Sequence, residues 1–486
     1  MMAFRTALTT LALFSATCSL AQGQSEVLNA NTRFEGVFGG ERVSYEARVE
    51  RTDMMATDDL PAVSLVTTAY LADTNAASER PVIFLFNGGP GAPSSWLHMG
   101  GLGPVRINAP VDPAAPVPAE IELTANTDTL LDVADLVFID PPATGFSRVT
   151  GEDEENALLT VMGDARLTAN FITRWLDDHD RTGSPVYVLG ESYGTLRASV
   201  VAGLMADTQP LSGVILLGQA VNMIETSQRA DNIVSHATNL ASLAAIAAYH
   251  GKADMDGRSI SDFVDDVHAW AMSDYLLALS RGEALPEAER QAVADQLEAY
   301  TGVPADYFLD HRLTITKAAF RGVLLSDQNQ RLAVYDARYV GDAPDAGERP
   351  SDPFGPVARW VPQALSAHFT ETLDISLPMD SYYWRAPNAS DWRWLPTGGM
   401  GGPFDDYNYA SQLEAALAAS DTFGVMIGTG RYDTTTTLGP ARYLADHLEG
   451  GQGRVVIAEY EGGHMAYTNP EALEALTQDL RRFVTR

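Results

Sequence analysis

The segment Gly190-Glu191-Ser192-Tyr193-Gly194 limits what this chain can fold into, because of what flanks it. Val186-Tyr-Val-Leu189, a short unbroken apolar run, precedes it, and a helix-like stretch follows through Met205. Unbroken apolar runs suit strands buried on both faces. A G-x-S-x-G between such a strand and a helix predicts a sharp turn that lifts the serine hydroxyl clear of the sheet. Small residues allow the turn to be tight, and the helix N-terminus behind it offers backbone N–H groups and a positive dipole end. The five-residue pattern alone is common; the strand before it and the helix after it make it specific.

Runs of the same kind recur at Pro81 to Phe86, Leu136 to Ile139, Val214 to Leu217, Gly424 to Ile427 and Val455 to Ile457. Val43 to Glu50 alternates apolar and polar residues as a half-buried strand does, and Ala62 to Leu71 is rich in β-formers. Between strands, Leu167, Phe171, Ile172, Trp175 and Leu176 share one helix face that ends before Gly183-Ser184-Pro185. Strands alternating with helices mean a mostly parallel sheet with helices on both faces. From about Asn222 to Trp394 strand signals fade and alanine- and leucine-rich helical stretches take over, as at Ala237 to Tyr249 and Glu287 to Tyr300. That middle region reads as a helical cap inserted into the sheet domain.

A serine hydroxyl is a poor nucleophile without a base, and the base needs an acid to fix its tautomer. His464, in Gly462-Gly-His-Met465 after the run ending near Glu459, is the candidate base. His98 is its one serious rival; His179, His268 and His447 read as solvated or packed residues. Asp433, just past Gly424 to Ile427, is the candidate acid. The chain order Ser192, Asp433, His464 is that of the α/β-hydrolase fold, with each residue on a loop at the carboxyl edge of the sheet. Asn87-Gly-Gly-Pro-Gly91 directly follows Phe86, and the N–H groups of Gly89 and Tyr193 are the expected oxyanion donors. The glycine run is not a phosphate loop: it lacks G-K-[ST] and a proline interrupts it. With neither H-E-x-x-H nor a cysteine cluster, no metal or cofactor is called for. The expected layout is a signal peptide over 1–21, sheet domain over 22–221, helical cap over 222–395 and sheet domain again over 396–486.

Charge bears on partners. The chain has 486 residues, with 32 Lys+Arg against 64 Asp+Glu and a formal net charge of -32. The acids are scattered, so the surface repels nucleic acid and anionic lipid without forming one acidic block. Arg5, the apolar stretch Ala7 to Phe14 and the small-x-small site Ser19-Leu-Ala21 read as an export signal cleaved after Ala21, too short for a spanning helix. The single cysteine, Cys18, lies inside it, so the mature protein would carry no disulfide. That favours a bacterial periplasm or secretion, with a lipid anchor on Cys18 as the weaker alternative. The oligomeric state is left open.

Four motifs together resemble the serine carboxypeptidases: N-G-G-P-G at Asn87 to Gly91, a D-x-P-x-x-G-F-S-like segment at Asp140 to Ser147, G-E-S-Y-G at Gly190 to Gly194, and G-G-H-M at Gly462 to Met465. The resemblance runs from about residue 80 to the end, and the motifs stand in the family's order. It implies release of C-terminal residues from peptides through an acyl-enzyme. It also implies that Asn87 and Glu191 bind the substrate's terminal carboxylate, with one of the two acids protonated because like charges raise a pKa. The chain departs from the family pattern in three places. A second carboxylate-binding glutamate would fall near Gly101, where this chain has no acid. Arg106 could take its place by binding a carboxylate bidentately, which would keep activity closer to neutral pH. Ala92 stands where a cysteine is usual, and Ala143 where glycine is usual, the latter with little expected consequence. An esterase or acyltransferase on the same triad is the alternative, since fold does not fix substrate. A non-catalytic peptide-binding protein is the third reading, disfavoured by the intact Ser192, Asp433 and His464.

Overall fold

The structure, a computed structural model, describes residues 30–150, 155–221, 226–229, 232–345, 351–375, 378–395 and 407–486. The expected export signal, with Cys18, lies outside these residues. Among the described residues there are fourteen strands: β1 (Ala30–Phe38), β2 (Glu41–Met54), β3 (Val63–Ala72), β4 (Val82–Phe86), β5 (Val105–Ile107), β6 (Leu123–Ala125), β7 (Asp135–Asp140), β8 (Arg148–Val149), β9 (Val186–Glu191), β10 (Gly213–Leu217), β11 (Gln330–Leu332), β12 (Val340–Asp342), β13 (Gly424–Gly430) and β14 (Val455–Tyr460). The main sheet runs β1-β2-β3-β7-β4-β9-β10-β13-β14, with β8 beside β3. From β7 to β14 every pairing is parallel, while β1, β2 and β3 form an antiparallel wing. This is the α/β-hydrolase architecture expected from the sequence.

Strand geometry explains why the central runs are apolar throughout. Alternate side chains point to opposite faces, so a strand covered on both sides must be apolar at every position. In β4, Ile83 and Leu85 join one core with Tyr187, Leu189, Ile215 and Met426. Val82, Phe84 and Phe86 join the other with Val186, Val188, Val214 and Ile427. The second core is closed by helices α1 (Val161–Asp178) and α2 (Tyr193–Met205), with Trp175 edge-on to Phe84 at 5.3 Å between ring centres. Thr160 caps α1, its hydroxyl accepting from the Gly163 N–H at 2.9 Å. β14 departs from the expectation of a strand buried on both faces. It is the last strand of the sheet, and Val456 and Ile457 are 37% and 38% exposed.

The chain leaves the sheet after β10 and returns at β13, although the two strands pair directly. Between them lie helices that pack around a separate apolar cluster, including α3 (Ile233–Tyr249), α4 (Ile260–Trp270), α5 (Glu287–Thr301) and α6 (Lys317–Val323). Tyr432 and Leu438, from the loop and helix after β13, complete this cluster. The hairpin β11–β12 sits within the same stretch, where the sequence offered no strand signal. Its three-residue strands are too short to carry one.

Ala143 matters more than its sequence context suggests. Its φ is 59°, in the left-handed region that a Cβ disfavours. Ala143→Gly relieves a strain of about 1–2 kcal/mol and adds back part of it as chain entropy in the unfolded state. We expect a net stabilisation of roughly 0.5–1 kcal/mol, read as a higher denaturant midpoint at unchanged slope.

Candidate active site

The carboxyl ends of five neighbouring parallel strands, β4, β9, β10, β13 and β14, lie along one edge of the sheet. β9 ends at Glu191 and turns into α2 through Ser192, whose φ of 58° and ψ of −128° put it outside the ordinary regions. Such strain persists only where the surroundings enforce it. Here the Ser192 N–H donates to the Leu217 carbonyl of β10 at 2.9 Å. The glycines on either side of the serine are sterically required. A Cβ on Gly190 would meet the Gly194 carbonyl oxygen at 2.1 Å, and one on Gly194 would meet the Phe86 carbonyl oxygen at 2.8 Å.

The loop after β4 lies directly over this turn. A Cβ on Gly88 would fall 2.5 Å from the Tyr193 nitrogen and 2.6 Å from the Glu191 carbonyl oxygen. Gly89 has a φ of 107°, a conformation open only to glycine. Tyr193 is the first residue of α2, so its N–H has no partner within the helix. A buried network fixes the two segments to each other. Arg197 Nη1 donates to the Asn87 carbonyl at 2.9 Å, its Nε donates to Asp164 at 2.7 Å, and the Tyr193 hydroxyl reaches the same carboxylate at 3.1 Å.

Asp433 and His464 stand on the loops after β13 and β14. His464 Nδ1 and Asp433 Oδ2 are 2.7 Å apart, and Asp433 is completely buried. The carboxylate also accepts the Thr435 N–H, the Thr435 hydroxyl and the Thr436 hydroxyl, each at 2.6 Å. Burial alone would raise the Asp433 pKa, but the His464 charge and these hydrogen bonds outweigh it and hold the acid below the usual range. For His464 burial opposes protonation, and the Asp433 charge with its hydrogen bond overcomes it, so the imidazolium is favoured. The ring is held from its backbone, where the His464 N–H donates to the Tyr335 carbonyl at 2.6 Å and the Gly463 N–H to Asp336 at 3.1 Å. Gly218, next to the carbonyl that anchors Ser192, abuts the imidazole: a Cβ there would touch its Cε1 at 3.0 Å.

Glu191 and Asn87 lie beside the turn and are both buried. Burial lifts the Glu191 pKa to about 7 against the opposing pull of His464, Tyr467 and Asn87. The Tyr467 hydroxyl donates to Glu191 Oε2. Asn87 Oδ1 accepts the Leu97 N–H at 3.0 Å, while Asn87 Nδ2 is a buried donor without a hydrogen-bond partner among the described residues. The position of the absent second acid is filled from elsewhere. A Cβ on Gly101 would lie 2.7 Å from Tyr467 Cβ, so the tyrosine occupies the space a side chain at 101 would need. Among the described residues no hydrogen bond or ion pair joins Arg106 to Asn87 or Glu191. Arg106 lies on β5, its Nη1 donates to the Ile107 carbonyl at 3.1 Å, and Asp128 is the carboxylate that acts on its charge. The space at Gly101 is taken by an aromatic ring, and the partners of Arg106 are the Ile107 carbonyl and the charge of Asp128.

His98 is a packed residue. Its Nε2 lies 2.6 Å from the Tyr70 hydroxyl, which also lies 2.7 Å from His368 Nε2, and the imidazole stacks on Phe138 at 4.5 Å. Burial holds both histidines neutral. Gly88, Tyr467 and the threonine pair at 435 and 436 were not singled out from sequence. Gly88 sits inside the quoted glycine loop and Tyr467 three residues past His464, so proximity in sequence was the one available signal.

Residues 69–215 match the family described as serine carboxypeptidase. Among solved structures, the prohormone-processing carboxypeptidase Kex1(delta)p from Saccharomyces cerevisiae aligns with a TM-score of 0.55 at 14% identity, over 90% of this chain and 91% of that one. A thermophilic esterase from Thermogutta terrifontis aligns at 13% identity and a TM-score of 0.36, over 90% of this chain and 98% of that one. A proline iminopeptidase from Mycobacterium smegmatis aligns at 13% identity and 0.37, with the same coverage. At 14% identity the likeness to Kex1(delta)p is one of fold. No curated protein matches the sequence. The family match bears out the resemblance over residues 69–215, which hold three of the four motifs; Gly462 to Met465 lies beyond it.

The contact at Gly88 gives a test. Gly88→Ala places a methyl group against the Tyr193 nitrogen, so hydrolysis of any acyl substrate should fall at least about 100-fold, the usual cost of losing one oxyanion donor. The thermal midpoint, followed in parallel, separates this from unfolding.

Proposed function

We propose that this chain, which matches the serine carboxypeptidases over residues 69–215, is an exported serine carboxypeptidase releasing C-terminal residues from peptides. The reading of Ser192 as nucleophile, His464 as base and Asp433 as orienter follows from chemistry. Asp433 fixes the proton on His464 Nδ1, which leaves Nε2 free to take the Ser192 proton as the hydroxyl attacks the scissile carbonyl. The oxyanion that develops would be met by the N–H groups of Gly89 and Tyr193. His464 then returns the proton to the leaving amine, an acyl-enzyme remains on Ser192, and water repeats the sequence to release the shortened peptide.

The observation that carries the carboxypeptidase reading over a general esterase is the pair beside the turn. Asn87 Nδ2 is a buried donor beside Glu191 with no well-formed hydrogen-bond partner among the described residues, and Glu191 stays protonated up to about pH 7. Two donors in one desolvated spot suit a substrate carboxylate, and an ester with no charge has no use for them. Tyr467 and Glu191 together replace a two-acid arrangement. Export rests on the signal-like first 21 residues. Among the described residues no helix is long and apolar enough to cross a membrane.

The pH dependence follows from Glu191. Its folded pKa is raised, so it is protonated and able to donate below about 7. Above that it ionises and repels a carboxylate. For a blocked dipeptide with a free C-terminus, kcat/KM should fall as pH rises past about 7, through KM. For the matching C-terminal amide no such alkaline limb should appear. Tyr467→Phe removes a donor that favours ionised Glu191, so the alkaline limb should move to higher pH. Both substrates are assayed beside Ser192→Ala, which should release nothing. Equal turnover of acid and amide with identical profiles would move the assignment to an esterase or broader acyl hydrolase.

A further inference from the structure

Asp433 can orient His464 only while it is ionised and held still, and it is completely buried. Its hold comes mostly from Thr435, whose N–H and hydroxyl both donate to Asp433 Oδ1 at 2.6 Å. That same hydroxyl lies 2.9 Å from His464 Nδ1. The Thr435 peptide is in turn held from behind. Its carbonyl accepts from Lys317 Nζ at 2.9 Å and from the Thr226 hydroxyl at 3.1 Å. Lys317 is the first residue of α6, in the helical stretch between β10 and β13, and is remote from the sheet in sequence.

The lysine is an unusual choice for this place. Its ammonium donates to the Thr226 carbonyl at 3.0 Å, the Thr226 hydroxyl at 2.7 Å and the Thr435 carbonyl, using all three protons on neutral oxygens. It forms no ion pair among the described residues, and burial pulls its pKa down to about 8. One turn along, Arg321 Nη1 donates to the Thr434 hydroxyl at 3.0 Å, so α6 grips two successive residues after Asp433. A methionine would fill the same length without the desolvation cost of a charge. What methionine cannot supply is a positive charge and a donor behind the catalytic acid.

We infer that Lys317 is a positioning residue of the active site: it fixes the Thr435 carbonyl, and through that residue the Asp433 carboxylate. The inference rests on the reading of Ser192, Asp433 and His464 as a triad. The charged groups acting on His464 are Asp433 and Glu191, which favour its proton, and Lys317, which opposes it, with the Tyr335 ring 5.7 Å away. Asp433 and Arg321 act on Lys317. Removing the lysine charge therefore leaves His464 holding its proton to higher pH.

The test uses the rate at which Ser192 is phosphonylated by a fluorophosphonate, measured from pH 5 to 9 on the whole protein. This reports the triad whatever the natural substrate. Ser192→Ala sets the background. Lys317→Met should slow labelling about tenfold through misplacement of Asp433 and move the acidic limb roughly half a pH unit upward. Lys317→Gln keeps donors without the charge. It should recover much of the rate while keeping the upward shift. Thr435→Val should slow labelling as well, and its combination with Lys317→Met should cost less than the product of the two. Failure of the unsubstituted protein to label would overturn the triad itself. Normal labelling with an unmoved acidic limb in both Lys317→Met and Lys317→Gln would overturn the role of the lysine alone, leaving it a structural tether. If Lys317→Met does not fold, Lys317→Gln decides by the position of its acidic limb.

Discussion

The structure depends on a backbone contact that has no room for one methyl group. The loop after β4 crosses the turn after β9 so closely that a Cβ on Gly88 would lie 2.5 Å from the Tyr193 nitrogen, and one on Gly190 would lie 2.1 Å from the Gly194 carbonyl oxygen. Nothing but glycine fits at these positions, and the closeness fixes the loop after β4 against the start of α2. The parallel pairing of β4 with β9 makes the approach possible, because both chains leave the sheet at the same edge. Arg197 and Asp164 then lock it, with a buried ion pair of 2.7 Å reaching the Asn87 carbonyl. Breaking such a pair leaves an uncompensated buried charge, so the register of loop and turn is strongly enforced.

Electrostatics at the site are arranged by burial more than by net charge. The surface is strongly acidic, yet the groups that matter are shielded from it. Asp433 stays ionised in a dry pocket because four donors face it, whereas Glu191, with fewer, is held toward its neutral form. Two carboxyl groups near one imidazole thus take opposite protonation states, as different hydrogen-bond supplies dictate. The two groups feel each other through His464, so apparent pKa values measured in solution belong to the set.

Much of this was legible in the sequence. The strand runs, the helix face of Leu167 to Leu176 and the strand-to-helix turn at Ser192 all follow from periodicity and from steric rules that act over a few residues. Asp433 and His464 were legible because each follows a strand signal, and chain order did the rest. The partners of Arg106 were not legible, because sequence separation does not say which groups surround β5. Tyr467 went unseen because a tyrosine after G-G-H-M carries no signature until its ring is found in the space above Gly101. Ala143 looked harmless because a backbone dihedral is not written in a residue name.

The sequence by itself determined the sheet and the serine turn, since local patterns of apolar residues and glycine leave few other conformations. Tertiary structure decided the supports: which side chain fills the gap at Gly101, which N–H the Asn87 side-chain oxygen accepts, and which helix stands behind Asp433. Lys317 and Thr435 are 118 positions apart, and only the return of the chain from α6 to the sheet makes them neighbours. Contacts of that kind arise from packing between distant segments, where every residue type has many possible partners and the fold selects one.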